Sequence, residues 1–117
     1  NEENSDKAAK IKGEHVAGKI LLVVPELAFI EAINALRYKG LSEEKLLEVN
    51  KALWDIQLKV ENIRASLLDK AISCAMKNKI TIYDAIYVVL AKMFGSELIT
   101  SDSELYKISN VVPLEKV

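Results

Sequence analysis

The sequence predicts an α/β domain, a short parallel sheet flanked by helices. Three observations carry that expectation. Aliphatic runs too short for helices, such as Ile20 to Val24 and Leu98 to Thr100, alternate along the chain with stretches of helical apolar spacing. The run at Ile20 to Val24 lies between Gly18 and Pro25 without polar alternation, so it reads as a strand covered on both faces, as parallel strands are. No repeat, low-complexity tract or linker interrupts the 117 residues, which amount to a single domain (residues 1–117) with one core.

The elements follow in order. Asn1 to Asp6 is polar and reads as a frayed start; Ser5 can cap a helix running toward Ala17, and Gly18 ends it. After the strand at Ile20 to Val24, Pro25 suits the first turn of a helix that reaches Lys39 and stops at Gly40. Ser42 caps the next helix, whose stripe of Leu46, Leu47, Val49, Leu53 and Trp54 ends near Ile56. A short strand is expected at Leu58 to Val60, then a helix from Ala65 to Lys77, broken by Lys77-Asn78-Lys79. Val111 to Leu114 closes the fold as an edge strand, because Pro113 cannot donate to a ladder.

The stretch Thr81 to Asp102 organises the rest. Thr81 can cap a helix that Ile82, Tyr83, Ile86, Tyr87, Val89, Leu90 and Met93 make apolar nearly all round, with Gly95 past its end. Glu97 to Thr100 then reads as a short, mostly buried strand, and Ser101-Asp102-Ser103-Glu104 opens another helix. Asp84 thus stands at a helix start and Asp102 just beyond a strand. In an α/β protein such positions can meet at the carboxyl edge of the sheet.

Composition narrows the function classes. Half the residues are apolar and 28% charged, an ordinary globular balance, and the net charge of -1 advertises no nucleic-acid partner beyond a local patch. Cys74 is the only cysteine, so no internal disulfide forms and a reducing cytoplasm fits. The apolar runs are far short of the ~20 residues a membrane span needs, and no signal-peptide pattern opens the chain. Gln57 is the sole glutamine among many Lys, Glu and Ile, a composition that hints at a thermophile. No glycine-rich phosphate loop, Ser/His/Asp set or zinc spacing is present.

The acids carry the candidate chemistry. Glu31 shares a helical stripe with Leu27, Ile30 and Asn34, and its neighbours are apolar. Two readings stand: a carboxylate turned into a polar pocket with Asn34 one turn away, or a partly exposed one paired with Arg37 or a lysine. Asp84 belongs equally to a capping box with Thr81, and Asp102 to one between Ser101 and Glu104. Taken jointly, three acids at separate element ends suit a hard divalent cation, which takes oxygen ligands. His15 has no partner at ligand spacing and reads as solvent-facing, Cys74 as a small core residue, and Tyr83 and Tyr87 as core or groove wall.

The segments Pro25 to Glu31, Tyr83 to Tyr87 and Leu98 to Leu105 together resemble a PIN domain, and most nearly the short VapC-type toxin ribonucleases. The resemblance covers essentially the whole chain and implies a three-layer fold. It also implies that Glu31, Asp84 and Asp102 are the catalytic and metal-binding acids, with Thr100 a supporting hydroxyl. From it follow Mg²⁺ or Mn²⁺ as cofactor, RNA as substrate, hydrolysis of phosphodiester bonds, a homodimer and a VapB-type antitoxin partner that covers the acidic pocket.

One family feature is not found. The first strand of a PIN domain ends in an aspartate followed by Ser or Thr and lies centrally in the sheet. Here the chain opens at Asn1-Glu2-Glu3-Asn4, and neither Glu2 nor Asp6 follows an apolar strand. The expectation is therefore a PIN-like domain lacking its first strand, with an unfilled slot between Ile20 to Val24 and Leu98 to Thr100 and weak cleavage by these residues alone. A non-catalytic PIN-fold module for binding or dimerisation is the alternative. A receiver-like domain is a third reading, opposed by the lack of a phosphoacceptor strand and of a lysine ending a late strand.

Overall fold

A computed structural model describes residues 2–117; Asn1, where a frayed start was expected, lies outside the described residues. The helices are α1 (Glu2–Val16), α2 (Leu27–Tyr38), α3 (Glu43–Asp55), α4 (Ala65–Asn78) and α5 (Ile82–Met93). The strands are β1 (Val23–Pro25), β2 (Lys59–Glu61), β3 (Leu98–Thr100) and β4 (Val111–Pro113), with one-turn 3₁₀ helices at Ser103–Leu105 and Leu114–Lys116. No helix among the described residues is long and apolar enough to cross a membrane.

All strand pairing is parallel, as the aliphatic runs predicted. β1 pairs with β2 in the register Val23 to Lys59, and β3 with β4 in the register Leu98 to Val111. The pairs are two separate two-stranded sheets among the described residues. Ile20 and Leu21 precede β1 and are 40% and 62% exposed, so the run expected to be covered on both faces is covered only in part. The same holds for β3, where Ile99 is exposed. Pro25 ends β1, buried, instead of opening α2.

α5 is the core helix. Ala85, Ile86, Val88, Val89, Leu90 and Ala91 are all buried along it. A helix that is apolar all round needs cover on several sides, and α5 has it from α4, β1 and β3. Against α4 it sets Ala85, Ile86 and Val89 on Leu67, Ala71 and Ala75. The spacing of that α4 face is one turn per step, and its alanines let the two axes come close. On another side Val88 packs with Leu105, Ile108 and Val111, tying β4 to the helix.

The helix ends follow local chemistry. Ser42 caps α3 by accepting from the Lys45 N–H at 3.3 Å. Lys79 terminates α4 in the left-handed region at φ 55, and the Ile80 N–H donates to the Ala75 carbonyl at 3.1 Å. Ser5, expected as a cap, falls inside α1.

His15 departs from its expected solvent-facing role. Its Nδ1 accepts from the Leu22 N–H at 3.0 Å, so the proton sits on Nε2, which faces the carbonyls of Ile56 at 3.1 Å and Gln57 at 3.2 Å. One neutral imidazole thus fastens the end of α1 to the approach to β1 and to the end of α3. Ligand spacing gave no sign of this, because its partners are main-chain groups.

Two stability outcomes follow. His15→Ala should lower the unfolding free energy by about 2 kcal/mol in urea titration, since it strands half-buried main-chain groups. Ala71→Leu should cost ~1–3 kcal/mol by overfilling the α4–α5 contact; a thermal midpoint equal to the parent's would contradict that packing.

Candidate active site

Asp84 stands in the first turn of α5, half-buried. Thr81, in extended backbone, accepts the Asp84 N–H at 3.0 Å. The reciprocal bond of a capping box, from the Thr81 N–H to the Asp84 carboxylate, is not formed among the described residues. The carboxylate is therefore not consumed by the cap.

Tyr87 lies one turn further along α5 and donates its hydroxyl to Oε1 of Glu31 on α2. Glu31 is exposed, as is its neighbour Ile30 at 68%. The apolar neighbours that suggested a sheltered Glu31 are themselves partly unburied, because this face of α2 lies at the surface. Its partner is a tyrosine, not Arg37 or a lysine. Burial, the hydrogen bond to Glu31 and the negative charges of Glu31 and Asp84 together push the Tyr87 hydroxyl far above the usual phenol range. Both carboxylates therefore act on one phenol that stays protonated and holds Glu31 in place.

Asp102 follows β3, exposed. Its N–H donates to Thr100 Oγ1 at 3.1 Å, and its own Oδ1 accepts from the Glu104 N–H at 3.0 Å. It is itself the N-cap of the 3₁₀ turn Ser103–Leu105, where a box between Ser101 and Glu104 was expected. Partial burial, then the charges of Glu115 and Asp102, raise the Tyr106 hydroxyl. The structure thus bonds Glu31 to Tyr87, with Asp84 one turn earlier on the same helix, and sets Asp102 in its own cap after β3. Among the described residues, no group of three or more acids, histidines or cysteines is placed to hold a metal ion.

Asn34, expected beside Glu31, lines a different feature. With Phe29, Ile30, Arg37, Asn50 and Trp54 it borders an apolar pocket of about 410 Å³ between α2 and α3. Phe29 and Trp54 stack there with ring centroids 4.2 Å apart, and the Trp54 Nε1–H donates to Asn50 Oδ1 at 3.1 Å. Trp54 remains 55% exposed.

The donor set at Tyr87 suits a hard cation. Mg²⁺ is commonly held by one or two carboxylates, with water and substrate phosphate completing its shell. Glu31 and Asp84 are carboxylates of that kind, one bonded to Tyr87 and the other one turn before it on α5. Tyr87, expected as core or groove wall, does line a groove beside β1 and β3, and its bond to Glu31 is what the sequence left unseen. Its signal was the spacing of three from Asp84, which puts both on one helix face.

This combination of parallel strands, a buried core helix and acids at its edge defines a known class. A family model for the PIN domain matches residues 1–111, and the chain belongs to the PIN domain family. It is similar to ribonuclease VapC3 of Pyrobaculum aerophilum, 36% identical over 86 residues, which is 68% of this chain and 65% of that protein. The chain thus spans just under two thirds of that relative's length. The solved structure of PAE2754 from Pyrobaculum aerophilum matches with a TM-score of 0.72 at 26% identity, over 97% of this chain and 84% of that one.

The raised Tyr87 hydroxyl gives a pH test. A proton held more tightly in the folded state stabilises fully below the ordinary phenol range and loses that contribution as pH rises above it. Tyr87→Phe should therefore show a constant stability difference from the parent at neutral pH, and one that shrinks above about pH 10. Urea titrations at a series of alkaline pH values read this. A difference that widens there would contradict the assignment.

Proposed function

We propose that this chain is the body of a metal-dependent endoribonuclease of the VapC type, hydrolysing RNA phosphodiester bonds. The observation that carries the reading is the Tyr87–Glu31 hydrogen bond, which joins α2 to the α5 turn that bears Asp84. Family membership and the similarity to a ribonuclease support it.

In this reading Glu31 and Asp84 hold Mg²⁺ or Mn²⁺. When bound, the cation supplies Lewis-acid activation of water and neutralises charge developing on the phosphate. The chain's own residues do the positioning. Tyr87 fixes the Glu31 carboxylate by donating to one oxygen and leaving the other free. Thr81 bonds the Asp84 main chain, so the side chain stays available. Asp102 commits one carboxylate oxygen to the Glu104 N–H and keeps the second, and Thr100 braces its backbone. Asp102 is the third acid, acting at the rim toward the RNA or the cation's water shell.

The finer assignment includes partners. The α2–α3 face, with Ile30, Leu47 and Trp54 exposed around the 410 Å³ pocket, supports a homodimer and capture by a VapB-type antitoxin. The single cysteine fits work in the reducing cytoplasm. The alternative, a non-catalytic PIN-fold module for binding or dimerisation, draws on that same apolar face and on the two-acid extent of the Tyr87 cluster.

A paired measurement separates them. Mn²⁺ binding followed by electron paramagnetic resonance should weaken at least ~10-fold in Asp84→Asn and Glu31→Gln. Mn²⁺-dependent cleavage of a fluorogenic RNA should fall at least ~100-fold in the same variants, with circular dichroism unchanged. Mn²⁺ binding without any cleavage by the parent would favour the binding module. Metal affinity equal in parent and variants would sink the site itself.

A further inference from the structure

α5 is buried along its middle, yet its first turn holds Tyr83 with 60% of its surface in water. Among the described residues the Tyr83 side chain forms no hydrogen bond and no ring stack. Its main chain is nonetheless fixed. Tyr83 lies between Thr81 and Asp84, and the Thr81 hydroxyl accepts the Asp84 N–H at 3.0 Å, which closes that turn. A tyrosine on closed backbone has only two side-chain torsions left to order, so contact with a ligand costs it little.

The groups of the candidate site adjoin this ring. Tyr83 precedes Asp84 in the chain and stands one helical turn before Tyr87, and residues at that spacing are neighbours on a helix surface. Tyr87 in turn donates to Glu31. Long side chains on a helix lean toward its N-terminus, so Tyr83 reaches beyond Tyr87 toward the start of α5. The ring therefore flanks the acids on a side open to water.

We propose that Tyr83 contacts the substrate, as a stacking platform for the base next to the scissile phosphate. The inference rests on the hydrolytic reading above and adds to it a residue outside the carboxylate set. Charge supplies the reason for such a platform. The chain carries a net charge of -1, and Glu31 and Asp84 repel a polyanion until a cation lies between them and the phosphate. Affinity for RNA has to come in part from contacts that are not ionic. Stacking on an aromatic ring is of that kind, and it accepts any base because every base has a π-face. The place of the ring favours a base over an apolar segment of another protein. Such a segment would desolvate the neighbouring carboxylates and give them no partner, whereas a nucleotide brings a phosphate and its cation to them.

The test compares the parent with Tyr83→Ala and Tyr83→Phe. Tyr83 is exposed, so neither change disturbs the core, and circular dichroism checks this. Fluorescence anisotropy of a labelled single-stranded RNA of about six nucleotides, with Mn²⁺ present, should give a Kd at least ~10-fold weaker for Tyr83→Ala. Tyr83→Phe keeps the ring and should bind within ~2-fold of the parent. Where the parent cleaves, the loss in Tyr83→Ala should fall on KM, with kcat within ~3-fold. Mn²⁺ affinity by electron paramagnetic resonance should be equal in all three proteins, which separates a lost base contact from a lost metal site. RNA binding that depends on the Tyr83 ring in a parent that never cleaves would support the platform and count against hydrolysis alone. A Kd unchanged in Tyr83→Ala, an equal loss in both variants, or no RNA binding by the parent would overturn the proposal. Dissociation of a dimer by Tyr83→Ala in the absence of RNA would assign the ring to a protein contact and overturn it equally.

Discussion

The burial of α5 is the constraint on which the rest of the structure depends. With Ala85, Ile86 and Val88 through Ala91 all out of water, this helix cannot lie on a surface, and every neighbour is placed to cover part of it. α4 does so with a face of Leu67, Ala71 and Ala75, and the segment from Leu105 to Val111 covers another side. β1 and β3 flank it, and Leu90 and Ala91, though buried, line the groove between them. The covering is asymmetric.

The same helix explains where polar chemistry can sit. Buried along its middle, α5 can carry charge only near its ends, and Asp84 occupies the first turn, where the helix dipole favours an anion. Tyr87 bridges the two regimes. Its ring lines the apolar groove while its hydroxyl reaches Glu31 on α2. The candidate site and the open groove are therefore adjoining features of one helix.

Much of this was legible in the residues. Short aliphatic runs between glycine and proline located the strands to within a few positions, and Ser42 and Thr81 named their own helix starts, since capping is a local hydrogen bond. The motif around Asp84 and Glu31 carried the family resemblance. Other features were hidden because their partners are distant in sequence. His15 looked unpartnered, yet it bonds main-chain groups at Leu22, Ile56 and Gln57, and main-chain acceptors leave no trace in residue identity. Glu31 looked sheltered because its neighbours are apolar, but apolar neighbours signal burial only if the helix is covered on that side.

The sequence by itself determined the parallel α/β class, the near-continuous apolarity of α5 and the acids at its margin, because periodicity, capping and composition are local properties. Tertiary structure decided which partners the acids find. It joined Glu31 to Tyr87 across 56 positions and turned Asn34 to the α2–α3 pocket. It also decided that the strands pair as β1 with β2 and β3 with β4 among the described residues. Those outcomes depend on how helices pack around one buried rod, and packing is a property of the whole chain that no single stretch contains.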